Sequence, residues 1–382
     1  MSNYGDVLIM AKQAGFTLIE LMIALTLGLL ISAAAIMLFL TAQRSNTLQQ
    51  GMADLQDNAN FGLNYITKDI RLTNLNVSSA DINDEVSYGG VVLTSSVNAT
   101  VDSSVSPPKP LSNLFRTIVG NSAAVTLLSR SDGMAVGTAP AWTGTSNVLP
   151  SAGGTLSSDQ LTIQYRPQYQ LDDKGTTATS DDEWVGGYDC EGRELRFPVS
   201  KISPTSTLPF GQQMIVQRYF LRVDSNAASN EPNSPLALAC EAGFYALEST
   251  PEVKVIEGGA PTSALGTRLF GSTSGQIILK RVDYFRVLLG VQSGTNYRYI
   301  SIKDYMAIAA GSRPRILSIQ LGALIRSTQS AGNDEIINNN QVFQVLDQTV
   351  KVITPAATAP KYVRQVVEQT VALRNAFGER GK

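Results

Sequence analysis

The sequence predicts an α+β protein: a long N-terminal α-helix, hydrophobic at first and amphipathic after, packed on a large antiparallel β-rich head. Three observations carry that expectation. Residues 16–40 form one apolar run, residues 48–70 carry an apolar stripe at helical spacing, and beyond residue 76 the chain turns to Ser, Thr, Gly, Asn and Pro with short β-type runs. The expected organisation is a polar leader over 1–15, a helix over 16–75 that spans a membrane over 16–40, and a globular head over 76–382.

The first half of the helix is set by hydrophobicity alone. Phe16 to Leu40 carries a single charge, Glu20. As a helix it would measure about 37 Å, enough to cross a bilayer core of about 30 Å. A carboxylate in such a segment is costly, and an ionisable group there is a functional candidate by default. The leader holds Asp6 and Lys12, with Arg44 beyond the run, so charge alone does not orient the segment.

The string Gly15-Phe16-Thr17-Leu18-Ile19-Glu20-Leu21-Met22-Ile23-Ala24-Leu25 resembles the class III signal of type IV prepilins and type II secretion pseudopilins. That resemblance implies cutting after Gly15 by a prepilin peptidase, N-methylation of Phe16, and a role for Glu20 in docking the subunit into a growing filament. The leader is less basic than is usual in that family. An ordinary secretory signal ending at Ala33-Ala34-Ala35 is the competing reading, and an acid inside its apolar region argues against it.

The second half of the helix is set by periodicity. Leu48, Met52, Leu55, Ala59, Leu63, Ile66 and Ile70 recur at a period of about 3.7 residues, one apolar face. Asp57, Asn58, Asn60 and Asn64 fall largely off that stripe. Gly51 and Gly62 each cost about 1 kcal/mol against alanine and read as soft points. The pattern fades at 74–79, where helix-breaking polar residues collect.

The head is expected to be built of strands. Runs at 124–129, 161–165, 215–223, 276–279, 284–291, 298–302 and 316–325 have β character, and Leu161, Ile163 and Tyr165 alternate. The long segments 94–113 and 137–158 read as surface elaborations or binding loops. The valines of 361–377 favour a strand. Its ending, Thr370-Val371-Ala372-Leu373-Arg374-Asn375, resembles the terminus of PilW-type minor pilins. Ser158-Asp159-Gln160-Leu161-Thr162-Ile163 and Asp189-Cys190-Glu191-Gly192 share that resemblance.

Composition removes most enzyme chemistry. The chain has 382 residues and no histidine, so no Ser-His-Asp triad, Cys-His dyad or His-ligated zinc site exists. Two cysteines exclude a four-cysteine metal site. No catalytic residue, metal or cofactor is expected. Lys and Arg number 30 against 32 Asp and Glu, so no nucleic acid partner is expected. Ser106-Pro107-Pro108-Lys109 has Ser-Lys spacing, but its prolines forbid the helix that would align the pair. Asp172, Asp173, Asp181, Asp182 and Glu183 carry oxygen ligands for calcium without EF-hand spacing, and read as a solvated loop. Tyr297, Tyr299 and Tyr305 offer rings to bases or sugars; the spacing of the first two reads as cross-strand packing. In a head exported to an oxidising compartment, Cys190 and Cys240 would be joined, closing a loop worth about 4 kcal/mol.

Taken together, the resemblance implies a non-enzymatic minor pilin that primes type IV pilus assembly near the tip and aids adhesion. Implied partners are other minor pilins, the major pilin, prepilin peptidase, the inner-membrane assembly platform and, before assembly, lipid. It implies a single pass of the inner membrane with a periplasmic head, then a place in the fibre at the cell surface. Two alternatives stay open here: the minor pseudopilin J of a type II secretion system, and a membrane-tethered periplasmic binding protein.

Overall fold

Good helix formers and an unbroken apolar run make Leu18–Ile70 one helix of 53 residues, α1. The computed structural model describes residues 15–77, 79–84, 86, 88–95, 100–103, 106–114, 122–178, 182–198, 213–227, 231–246, 271, 273–330, 337–338, 340–354 and 359–376. The leader before Gly15, Asp181 and Phe377 lie outside them. The chain divides into two units, one ending at Gln50 and one running from Gly51 to Lys382.

Up to Leu40, within the first unit, the helix is apolar all round but for Glu20 and two small hydroxyl side chains. It holds a stretch of mean hydropathy 2.6, none of it buried. Such a surface needs lipid or like helices around it.

In the second unit the rest of α1 buries one face: Gly51, Leu55, Ala59, Gly62, Leu63, Ile66 and Ile70. Met52 departs from the expected stripe and stays 47% exposed. The two glycines are not merely soft points. A Cβ on Gly62 would lie 3.0 Å from the Leu279 side chain, and one on Gly51 would lie 3.6 Å from Ser327. Both mark where the helix backbone comes close to the strands. The helix ends in tightened turns, with Leu72 N donating to Asp69 O and Thr73 N to Ile70 O. Asn74 then adopts a left-handed φ of 64°, and its side chain serves Ser79 O and Gly90 N.

The strands follow in chain order: β1 (Thr100–Asp102), β2 (Lys109–Leu111), β3 (Val148–Pro150), β4 (Leu161–Tyr165), β5 (Gln170–Asp172), β6 (Glu183–Tyr188), β7 (Glu194–Pro198) and β8 (Gln213–Val223). Then come β9 (Leu236–Ala246), β10 (Gln276–Lys280), β11 (Val282–Ser293), β12 (Asn296–Ser301) and a short helix α2 (Ile302–Ala307). The last are β13 (Arg315–Arg326), β14 (Val342–Val345), β15 (Gln348–Val352) and β16 (Arg364–Ala372).

Two four-stranded antiparallel sheets dominate, ordered β10-β9-β8-β4 and β12-β11-β13-β16. They share one core with α1. Leu55, Ile66 and Ile70 of the helix meet Leu161, Tyr219 and Leu238 of the first sheet and Val287, Leu289 and Leu321 of the second. Smaller sheets, β14-β15-β3 and β5-β6-β7, flank them.

Three segments depart from the sequence expectation. Residues 124–129 are not a strand; Ser122–Leu127 form a 3-10 helix. Side chains of β4 and of Gln160 just before it replace a ladder there: Thr162 Oγ1 donates to Leu127 O, and Gln160 Nε2 donates to Thr126 O and Leu128 O. Strand β4 is therefore buried on both faces rather than alternating. The segment 137–158 is no mere surface elaboration. It sends Trp142 into the interior, where its indole donates to Ser158 O, and adds Val148 and Leu156 to a second core with Tyr284 and Val345.

The second sheet is stapled by buried charge. Asp283 accepts from Arg364 at 2.8 Å and lies 3.5 Å from Arg326, which also pairs with Glu231. Arg281 joins Glu231 and Asp224 to the same cluster. It ties β11, β13, β16 and the turn after β8, and the Tyr362 ring lies over the Arg326 guanidinium.

Candidate assembly site

The start of α1 is the first candidate. Gly15, Phe16 and Thr17 precede the helix and are exposed; Phe16 is 89% exposed, and nothing lies within 4 Å of the Gly15 Cβ position. The Gly15–Phe16 peptide bond is thus open to another protein. Thr17 and Glu20 cap the helix reciprocally. Thr17 N and Oγ1 donate to Glu20 Oε2 at 2.9 and 3.0 Å, while Glu20 N donates to Thr17 Oγ1 at 3.3 Å. The sequence carries that capping box as Thr17-Leu18-Ile19-Glu20, a signal the motif reading passed over. The carboxylate is therefore held at the positive end of the helix dipole, aimed at the chain just before it.

The second candidate is the seat of α1 on the head. Asn58 Nδ2 donates to Lys280 O of β10 at 3.0 Å. One turn below Phe61, Tyr65 donates its hydroxyl to Cys190 O at 3.0 Å. Cys190 and Cys240 are joined by a disulfide with Cα atoms 6.1 Å apart, which ties the turn after β6 to β9. That turn is built by Asp189, whose Oδ1 accepts from Glu191 N and Arg193 N, and by Gly192 at φ 76°. Glu191 Oε2 in turn accepts from Ala242 N. Between Phe61, Tyr65, the Cys190–Gly192 turn and the edge of β10 lies a groove of about 250 Å³.

Beneath the seat, Asp69 accepts the Tyr219 hydroxyl at 2.9 Å. Burial pushes the Asp69 carboxyl up to about 6, against the Tyr219 bond and Lys68, which lower it. Burial likewise raises the Tyr65 phenol.

The other residues singled out in the sequence lie apart from these features. In the acidic loop, Asp172 and Glu183 are both held by Lys174 and Arg196, at 2.7 to 3.3 Å. The cations nearest those carboxylates belong to the chain itself. Among the described residues no cluster of three or more acid or thiol groups is arranged for a metal. Lys109 lies in β2. Tyr305 is buried and donates to Pro314 O at 2.9 Å. Tyr297 and Tyr299 are not packed away: they are 70% and 44% exposed on β12.

Two family models match parts of the chain. A family described as type IV pilus-assembly protein W matches residues 258–375, and the prokaryotic N-terminal methylation motif matches residues 10–36. A comparison with curated proteins finds no match. Among solved structures, a type IV-like pilin from Thermus thermophilus aligns with a TM-score of 0.22 at 11% identity, covering 60% of this chain and 81% of that one.

Proposed function

We propose that this chain is a minor pilin of the PilW type, a structural subunit that primes type IV pilus assembly near the tip and presents a surface for adhesion; its two family matches support the reading. One observation carries the reading. A methylation motif over residues 10–36 runs straight into an apolar helix, and the same chain carries the W-family match in its head.

The path is then the one that the resemblance to prepilins implies. Prepilin peptidase cuts between Gly15 and Phe16 and methylates the new amine of Phe16, which keeps its positive charge. The helix waits in the lipid of the inner membrane with the head in the periplasm. The assembly platform then moves it into a fibre with other minor pilins and the major pilin. Leaving lipid for a bundle of apolar helices, the Glu20 carboxylate needs a cation, since burying it alone costs several kcal/mol. The amine of Phe16 supplies one, from a neighbouring subunit or from the same chain; from a neighbour, the match holds at a single axial stagger.

Mass and N-terminal sequence of the membrane-extracted protein test the reading. The expected product begins at methylated Phe16. A mature chain that begins after Ala35 would overturn it.

A further inference from the structure

The open face of the second sheet carries a feature that assembly does not use. Gly290, Gln292, Ser318 and Thr370 alternate with core residues along β11, β13 and β16 and lie on the side away from the helix. On that side β12 adds Tyr297 and Tyr299. Tyr299 pairs with Gly290, and its ring covers the glycine: a Cβ at 290 would meet Tyr299 Cε1 at 2.8 Å and Ser318 Oγ at 2.1 Å. Only glycine permits the ring to settle there. Ser318 Oγ donates to the Tyr299 hydroxyl at 3.3 Å and anchors the far end of the ring. The ring is thus pinned at its edge and floor while 44% of the residue stays open. Tyr297, two residues along on the same face, is more open still.

What surrounds the rings selects the occupant. Gln292 pairs with Tyr297 and Ser318 bonds Tyr299, with Gln320 and Thr370 farther along the same face, amides and hydroxyls that both donate and accept. On the strand beyond Gln292, Arg315 is held by Asp81 and Ala376 O. A neutral ligand with an apolar face for the rings and hydroxyls for the rim fits this lining. We propose that Tyr297 and Tyr299 form a stacking platform for a neutral glycan, the pyranose rings lying on the two tyrosines and their hydroxyls meeting the flanking amides.

The full chain, held in a detergent without a sugar headgroup, is titrated by calorimetry with cellohexaose, chitohexaose and maltohexaose, and with a heparin hexasaccharide as the anionic comparison. At least one neutral hexasaccharide should bind saturably. Tyr297→Ala and Tyr299→Ala should each weaken it by roughly tenfold or more, while Tyr299→Phe stays within about threefold because the ring remains. Both rings are exposed, and an unchanged melting curve separates lost binding from lost fold. Absence of saturable binding to all three neutral sugars overturns the proposal, as does binding confined to heparin. So does a pair of alanine variants that bind sugar normally but lose other pilin subunits on purification, since the face would then be a protein interface.

Discussion

Two hydrogen bonds tie the Glu20 carboxylate to Thr17, and substitution separates them from its charge. Glu20→Ala removes the cap and the carboxylate together; Glu20→Gln keeps a side chain able to bond Thr17 and removes only the charge. Both variants should insert in the membrane and be cut at Gly15. Both should lose partner pilins on co-purification and lower the number of pili counted beside a western blot of processed protein. Normal piliation in Glu20→Gln would reduce the residue to a helix cap, worth about 0.5–2 kcal/mol. At the other end of the helix, Asp69 gives a pH test. Its folded pKa of about 6 exceeds the unfolded value of about 3.9. Between those values the folded state holds more protons, so stability falls as pH rises from about 4 to about 6 and stays reduced above. The penalty is about 3 kcal/mol. Asp69→Asn should flatten that slope and raise the urea midpoint at pH 7; a slope unchanged in the variant would assign it to another group.

Among the elements, the turn after β6 is the one held covalently. Replacing Cys190 or Cys240 by Ser should lower stability by about 2–5 kcal/mol, read as a shift in the denaturant midpoint, and reductant should produce the same shift in the parent but none in the variant. Two alkylatable thiols in native protein would contradict the bond. Because Tyr65 reaches Cys190 O, the loss should also loosen the lower turns of α1, visible as faster amide exchange there. The elements differ in how far the sequence exposes them. Leu55, Ile66 and Ile70 repeat at helical period, so α1 is legible. Residues 124–129 are not, because the decision rests on Gln160 and Thr162, which reach their carbonyls from 32 and 35 residues away. Gly62 misled for a similar reason: its meaning lies in Leu279, on a strand the helix meets only in three dimensions.

For the whole molecule, the buried charge cluster is the strongest constraint. Arg326 is fully buried between Glu231 and Asp283. Arg326→Met leaves those carboxylates short of a cation and should cost about 3–5 kcal/mol, with loss of soluble head on expression. A midpoint within about 1 kcal/mol of the parent would show that Arg281 and Arg364 suffice. None of this cluster is legible in one dimension, since its members lie between 224 and 364 and each looks like an ordinary surface charge. Asp159 shows the same blindness from the motif side. It stands out within Ser158-Asp159-Gln160, but its task is to accept from Val287 N at 2.8 Å across 128 residues.

The seat of α1 has a kinetic consequence. Asn58 waits for Lys280, which follows it by 222 residues, and Thr73 O waits for Asn375, which follows by 302. The amphipathic turns are made early and find their strands late. Contacts of such long range close slowly, so the folding of this head is governed by loop closure rather than by helix formation. In the interval the stripe of Leu55, Leu63 and Ile66 is bare, and a strand edge or a second nascent chain competes for it. Refolding yield should therefore fall steeply with protein concentration, even where the folded subunit is fully stable.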